Sequence, residues 1–373
     1  RPGQLRWYID ANARFRLPLD FDLNLGTQLA SDNTYASEYG YSGSDRLISF
    51  GEITRTRRDE HISLGVTSYL PLSTANAASE VTSEALYDRR FVPAGFGGEG
   101  RLTFDVEAPG NGVGLDDLHA HGALGWRQNW TFGPGLLGAV EGQVALDHYS
   151  MRPGSGFAPE ITNVTPTAAA ELRWPLARAT AGGGTSVLEP VAQLAWTGTD
   201  FTPVPNGDSR LAEFDEGNLL ALSRFPGDDR YERGLRGAVG LSWSHFHPEG
   251  WSYGASLGRV FRETDYGQFS QASGLDGLAS DWLVSGSVEF GLFEVTNRTI
   301  VDDGTGVTKS ATRLGVSWEG LSLSTGYLWQ VADAAEGRAA PPSELAITAG
   351  YAFNRHWTGG LNYRYDFTAS NMS

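Results

Sequence analysis

Leu5-Arg-Trp-Tyr-Ile-Asp-Ala-Asn-Ala-Arg-Phe-Arg-Leu17 puts an apolar residue at every odd position and a polar or polar-tipped one at every even position. A period of two sends successive side chains to opposite faces, so the stretch reads as a two-faced β-strand. After Pro18 the pattern resumes, with Leu19, Phe21, Leu23, Leu25 and Leu29 set against Asp20, Asp22, Asn24 and Gln28. The two runs form a hairpin. The same alternation returns through the chain, for example at Leu136/Val140/Val144/Leu146, Leu235/Val239/Leu241/Trp243 and Leu321/Leu323/Tyr327/Trp329. It predicts about eighteen strands of roughly ten residues, the length a tilted strand needs to cross a bilayer. Strands of soluble proteins are about half as long.

The connections carry a second signal. Tight joints at Pro18, Arg58 to Glu60, Gly133-Pro-Gly135, Pro248-Glu-Gly250, Gly291, Glu319-Gly320 and Asn354-Arg355 alternate with longer polar segments. One rim of an outer-membrane barrel carries turns and the other carries loops, and a soluble sandwich has no reason to keep that parity. Trp130, Trp174, Trp251, Trp318 and Trp357 lie near short joints, and Trp7, Trp196, Trp282 and Trp329 near long ones, as two aromatic girdles would require. The expected fold is therefore all-β: a large antiparallel transmembrane β-barrel of the outer-membrane type, with residues 1–373 forming part of a single barrel domain. Since the first and last connections are both short, both ends fall on the loop side, and the barrel is expected to be incomplete at both ends, with an odd number of strands missing from each. Arg1 is not an initiator Met and no signal segment follows it, so a processed form or an excised piece is expected.

Composition removes other classes. With 44 Asp and Glu against 28 Lys and Arg, the net charge of -16 opposes nucleic-acid binding. No apolar run approaches the roughly 18 residues of a spanning helix. There is no Cys, so disulfides and thiolate metal sites do not arise. No Gly-rich phosphate loop ending in Lys-Ser/Thr occurs, so any transport energy comes from elsewhere.

One connection is far longer than an idle link needs to be. Residues 200–233 hold Asp208, Glu213, Asp215, Glu216, Asp228, Asp229 and Glu232 beside Arg210, Arg224, Arg230 and Arg233, with bends at Pro203, Pro205, Pro226 and Gly227. Mixed charge at that density favours internal salt bridging and a loop folded over the barrel mouth, a structural lid or plug on the extracellular side.

Within and around this loop the chain resembles the outer-membrane LPS-assembly protein family (LptD, also called OstA) in its alphaproteobacterial form. The residues that carry the likeness are Leu188-Glu-Pro190, Pro205-Asn-Gly-Asp-Ser209, Glu213-Phe-Asp-Glu-Gly-Asn218, Arg224-Phe-Pro-Gly-Asp-Asp-Arg230 and Glu232-Arg-Gly-Leu235. Gly258-Arg259 and Tyr363-Arg-Tyr-Asp366 follow in the expected order. The resemblance implies a translocon component that receives lipopolysaccharide from the periplasmic bridge and inserts it into the outer leaflet of the bacterial outer membrane. It further implies the plug lipoprotein LptE as partner and outer-membrane lipids as surroundings; from the residues themselves no cofactor and no enzymatic activity are expected, since nothing beyond Asp117, His119 and His121 suggests a catalytic set. The family's N-terminal jelly-roll domain and the seam between first and last strands, which opens sideways, fall outside this stretch. A passive porin is the alternative, and a barrel enzyme or adhesin a more distant one.

Three sets of residues invite chemistry. Inward Arg6, Arg14, Arg16, Arg55 and Arg57 can pair bidentately with lipopolysaccharide phosphates, or equally with lumen acids such as Asp10 and Asp22. Asp117, His119 and His121 share one strand face, a set able to hold zinc or act as acid and base, but i, i+2 spacing is what lumen-facing alternation gives anyway. Asp302-Asp303-Gly-Thr-Gly306 lacks the spaced acids of a calcium loop and reads as a turn.

Overall fold

The structure, a computed structural model, describes residues 5–32, 34–38, 46–72, 80–109, 116–209, 211–304, 306–368 and 371–372. It is all-β and antiparallel, as the alternation predicts. Its strands are β1 (Tyr8–Arg16), β2 (Asp22–Ala30), β3 (Arg46–Thr56), β4 (Glu60–Pro71), β5 (Glu80–Phe91), β6 (Glu99–Pro109), β7 (Asp116–Phe132), β8 (Leu136–Met151), β9 (Glu160–Arg173) and β10 (Leu176–Ala179). There follow β11 (Thr185–Thr197), β12 (Gly234–Phe246), β13 (Ser252–Arg262), β14 (Trp282–Phe290), β15 (Phe293–Val301), β16 (Val307–Trp318), β17 (Leu321–Gln330), β18 (Ser343–Asn354), β19 (Trp357–Asp366) and the two-residue β20 (Asn371–Met372). No helix among the described residues is long and apolar enough to cross a membrane.

β9 and β10 are one strand in a single register on β11, with Arg173 opposite Val191 and Leu176 opposite Leu188. The ladder is interrupted at Trp174, whose N–H donates to Pro190 O at 3.1 Å while Pro190 has no N–H to return. Merging that pair and setting β20 aside leaves eighteen full-length strands of the twenty segments. Turn-side and loop-side connections alternate in order, and the structure adds two turn-side joints to those the sequence marks. One is the hairpin at 180–184, where Thr180 N–H donates to Gly184 O at 2.8 Å. The other is the seven-residue turn at 92–98, which is longer than the loop-side link at 302–306, so side rather than length is what alternates.

The chain divides into two compact units, one of residues 1–128, 142–166 and 200–207, the other of 129–141, 167–199 and 208–373. In the first, β1 to β7 form an antiparallel meander in which each strand pairs with the next, Ala13 facing Leu25 and Gly51 facing Val66. Its small core is Tyr149, Met151 and Ile161 against Phe157 and Val204. Asn163 clamps residue 202 from both sides, its Nδ2 donating to Thr202 O and its Oδ1 accepting from Thr202 N–H, each at 2.9 Å.

In the second unit the strands from β9 to β19 form an antiparallel meander, and the registers align side chains into rows. Leu241, Leu257 and Val284 stand in line on one face of β12 to β14, all more than a third exposed. On the opposite face Ser242, Ser256, Ser285 and Arg298 stand in line across β12 to β15, with Ser256 Oγ and Ser285 Oγ 2.6 Å apart. Exposed apolar rows of this kind suit hydrocarbon rather than water as the surrounding phase. The hydrophobic cluster lies on the polar side instead: Ala238, Val260, Leu283 and Ile300 of the strands pack with Phe214, Leu219 and Leu275 of the connections.

Candidate functional site

Residues 208–233 are built into the polar face of β11 to β15 as a fixed insert. Small residues on two facing strands create the room. Gly240 and Gly258 are register partners, and a Cβ on either would lie 2.7 or 2.6 Å from Leu219 Cδ2. Leu219 therefore seats in a notch that only glycine leaves open. Alongside it, Gln193 of β11 donates to Leu220 O at 2.7 Å, and Phe225 stacks on Phe269 at 4.6 Å between centroids. The connection 263–281 joins this packing through Leu275, which is fully buried.

At the centre is Glu232, with no exposed surface. Its carboxylate accepts from Arg224 at 2.5 Å and from Arg262 at 2.9 and 3.0 Å, and Arg236 stands 3.8 Å away. One negative charge among three guanidiniums leaves positive charge over, and backbone carbonyls absorb it. Arg224 donates to Leu219 O, Arg236 to Leu222 O and to Glu232 O at 3.0 Å, and Arg262 to Leu275 O at 2.7 Å. The cluster thus ties loop backbone to the loop-side ends of β12 and β13. Burial by itself pushes the Glu232 carboxyl up, but the three guanidiniums outweigh it and hold the carboxyl below the usual range. A carboxyl lower in the folded state than unfolded stabilises fully above the ordinary value of about 4.3, and the stabilisation is lost as pH falls through the folded value. Protease cleavage within 208–233 is accordingly expected to stay slow through pH 5 and to rise only beneath about pH 4; a rise between pH 7 and 5 would contradict this.

The remaining loop charges divide by role. Asp208 and Asp229 bind each other's backbone N–H at 3.1 and 3.3 Å, and the Asp208 carboxylate fills the space that a Cβ on Gly227 would take, where φ is +71°. Arg230 donates to Ser209 O at 3.0 Å and lies over the Phe225 ring; Arg233 lies over Tyr266. Asp228 is exposed, and Arg210 lies outside the described residues. Glu213 to Asn218 form a tight turn: Asp215 Oδ1 accepts from the N–H of Gly217 and Asn218, and Asn218 Nδ2 donates to Glu213 O at 2.7 Å. That turn presents Glu216 to Arg298 of β15, Nε to Oε2 at 2.7 Å and Nη2 to Oε1 at 2.6 Å. Below it is a cavity of about 780 Å³, lined by Arg298, Lys309 and Arg313 and by the serine row.

The salt bridging expected inside the loop is thus shared with the strands, the Arg224–Glu232 pair alone among the ion pairs named above being internal. Arg224 is a loop residue, but Arg236, Arg262 and Arg298 belong to strands, and only contact across 30 to 82 residues of sequence reveals the last two.

The five arginines at the start of the chain are not gathered into one site. Arg6 holds Asp32 at 2.7 Å and Glu38 at 2.5 Å near the loop-side end of β1. Arg14 pairs with Asp22, Arg55 with Glu60 and Arg57 with Asp20 at 2.6 to 2.8 Å, all beside short turns. Arg16 is exposed. Four of the five therefore neutralise acids of the protein, and Arg55 is not inward as expected, since it stands opposite Ile62 and over the Phe21 ring on the face of Leu23, Ile53 and Leu64. Of the histidine set, His121 Nδ1 meets the buried Asp147 at 2.7 Å and His119 Nε2 stands 3.6 Å from the same carboxylate, its ring stacked on Tyr149. The side chain of Asp117 lies outside the described residues. Asp303 serves Arg259 and the Trp282 indole N–H at the loop-side edge of β13 and β14, a turn residue with a structural task; Thr305 beside it lies outside the described residues.

A protein-family model described as LptD, LPS transport system D, matches residues 4–357. No curated protein matches the chain.

Proposed function

Because the chain belongs to the LPS transport system D family, we propose that it forms the barrel wall of the translocon that takes lipopolysaccharide from the periplasmic bridge and places it in the outer leaflet. The family match, on strands with one apolar and one polar face, carries this reading. LPS transport at the outer membrane is the family's task; the route to the outer leaflet, the plug lipoprotein LptE and a periplasmic bridge docked through a further domain are the finer parts of the proposal. The porin alternative fits the insert less well, since a loop fixed by a buried charge cluster obstructs the polar face that a passive channel keeps open. Depleting the full-length protein in its host and measuring newly made lipopolysaccharide reachable by an impermeant reagent tests it. Unchanged surface delivery during depletion would refute the proposal, and large steady ion conductance from the reconstituted protein would favour the porin.

The insert belongs on the extracellular side in this reading, opposite the short turns. Ser209 is exposed, so a cysteine there is expected to react with an impermeant thiol reagent in intact cells. Labelling that appears only after the outer membrane is broken would reverse the topology.

A further inference from the structure

The cavity beneath the Glu213 to Asn218 turn is walled by three cations, and the turn supplies as many acids. Arg298, Lys309 and Arg313 give +3, and Glu213, Asp215 and Glu216 of the turn give -3, so the two sets cancel. Glu344, the other acid on the wall, is already held by Arg364 at 2.5 Å. Among the described residues neither Lys309 nor Arg313 makes an ion pair of its own. The Arg298 fork is filled twice over, by both oxygens of Glu216 and by Asp215 at 3.6 Å. A guanidinium fork holds a phosphate or a sugar carboxylate with the same parallel bonds.

The Arg298–Glu216 contact also differs in kind from the Glu232 cluster. Both its side chains are about two-fifths exposed, 41% and 44%, where Glu232 and Arg224 are at 0% and 1%. Wet ion pairs are weak and exchange readily. Displacing the Glu216 and Asp215 carboxylates would free the Arg298 fork, beside Lys309 and the exposed Arg313, at the end of the Ser242, Ser256 and Ser285 row, whose hydroxyls both donate and accept. Such a wall suits a hydroxyl-rich ligand that carries one oxyanion.

We propose that this cavity is a binding site for a saccharide bearing a phosphate or a carboxylate, kept shut at rest by Glu216 and Asp215 standing in for that oxyanion on Arg298. The assignment rests on the transport reading only for where such a saccharide would come from; binding itself is a property of the cavity. The turn is anchored by the buried Phe214, so its acids compete from a fixed position and apparent affinity falls by the fraction of time they occupy the fork.

The test is calorimetric titration of the full-length protein, with its partner, in detergent. Glucosamine 1-phosphate and galacturonic acid serve as separate probes for the two oxyanions, and unmodified glucosamine as control. Asp215→Asn with Glu216→Gln removes the competitor and is expected to tighten binding of at least one oxyanion probe about fivefold, the worth of an exposed ion pair. Arg298→Gln is expected to weaken it about tenfold or more. Arg298→Lys keeps the charge but not the fork, so intermediate binding with normal heat-modified migration excludes misfolding as the cause. Unchanged affinity in the lid variant, wild-type affinity in Arg298→Gln, or equal binding of glucosamine would overturn the inference. The transport reading would still stand or fall on the depletion experiment.

Discussion

Glu232→Ala is expected to destabilise the seat of the 208–233 insert by about 3 to 5 kcal/mol, because removing one member of a buried charge set leaves the others uncompensated. Three guanidiniums would remain within reach of one another, with nowhere to place their charge except the carbonyls they already use. Since Arg262 also holds Leu275 O, the 263–281 connection should loosen with it. Limited proteolysis of the folded protein measures this, with cleavage at both connections rising together. Glu216→Gln is the internal control: it also removes a lid carboxylate, but from an exposed pair worth about 0 to 1 kcal/mol. Equal protease resistance of Glu232→Ala and Glu216→Gln would show that burial does not separate the two contacts as argued.

How far the sequence discloses this molecule differs between strands and insert. Alternation at Leu235/Val239/Leu241/Trp243 specifies both strand and faces, because a period of two has one geometric meaning and a one-residue slip would turn every side chain over. The break opposite Pro190 and the extra hairpin at 180–184 escape that logic, since they depend on a missing donor and a turn hydrogen bond rather than on polarity. The insert is legible as charged and bent, yet its partners are not. Glu232 could be read as one acid among seven; that it is the fully buried one follows from Arg236 and Arg262, which look like ordinary strand residues. A fainter signal does exist. Gly240 and Gly258 are small residues on the polar face of neighbouring strands, and such a pair marks space that something must fill. Gly258-Arg259 also belongs to the family-like motifs, but only the register shows that Leu219 is the filler. The 263–281 connection misleads most: it reads as polar and Gly- and Ser-rich, while Ala272 and Leu275 within it are fully buried.

Leu241→Arg is expected to cost about 2 to 4 kcal/mol if that row lies near the bilayer midplane, whereas Ser242→Arg should be far milder. The two positions are adjacent in sequence and opposite in environment. Leu241 stands in the Leu241, Leu257 and Val284 row, where an added guanidinium finds hydrocarbon and apolar neighbours on both flanking registers. On one side of it is Pro190, which cannot donate to the new group either. Ser242 opens instead onto the cavity that holds Glu213, Asp215 and Glu216, so an arginine there gains acids and water. Sequence hydrophobicity averaged over a window would treat the two substitutions alike, and so would any soluble sandwich in which both faces of β12 meet protein or water. Folding into lipid vesicles, followed by urea titration and heat-modified migration, separates the cases. Equal unfolding midpoints for the two variants would reverse or abolish the assignment of faces, and with it the reading of the serine row as the inner wall.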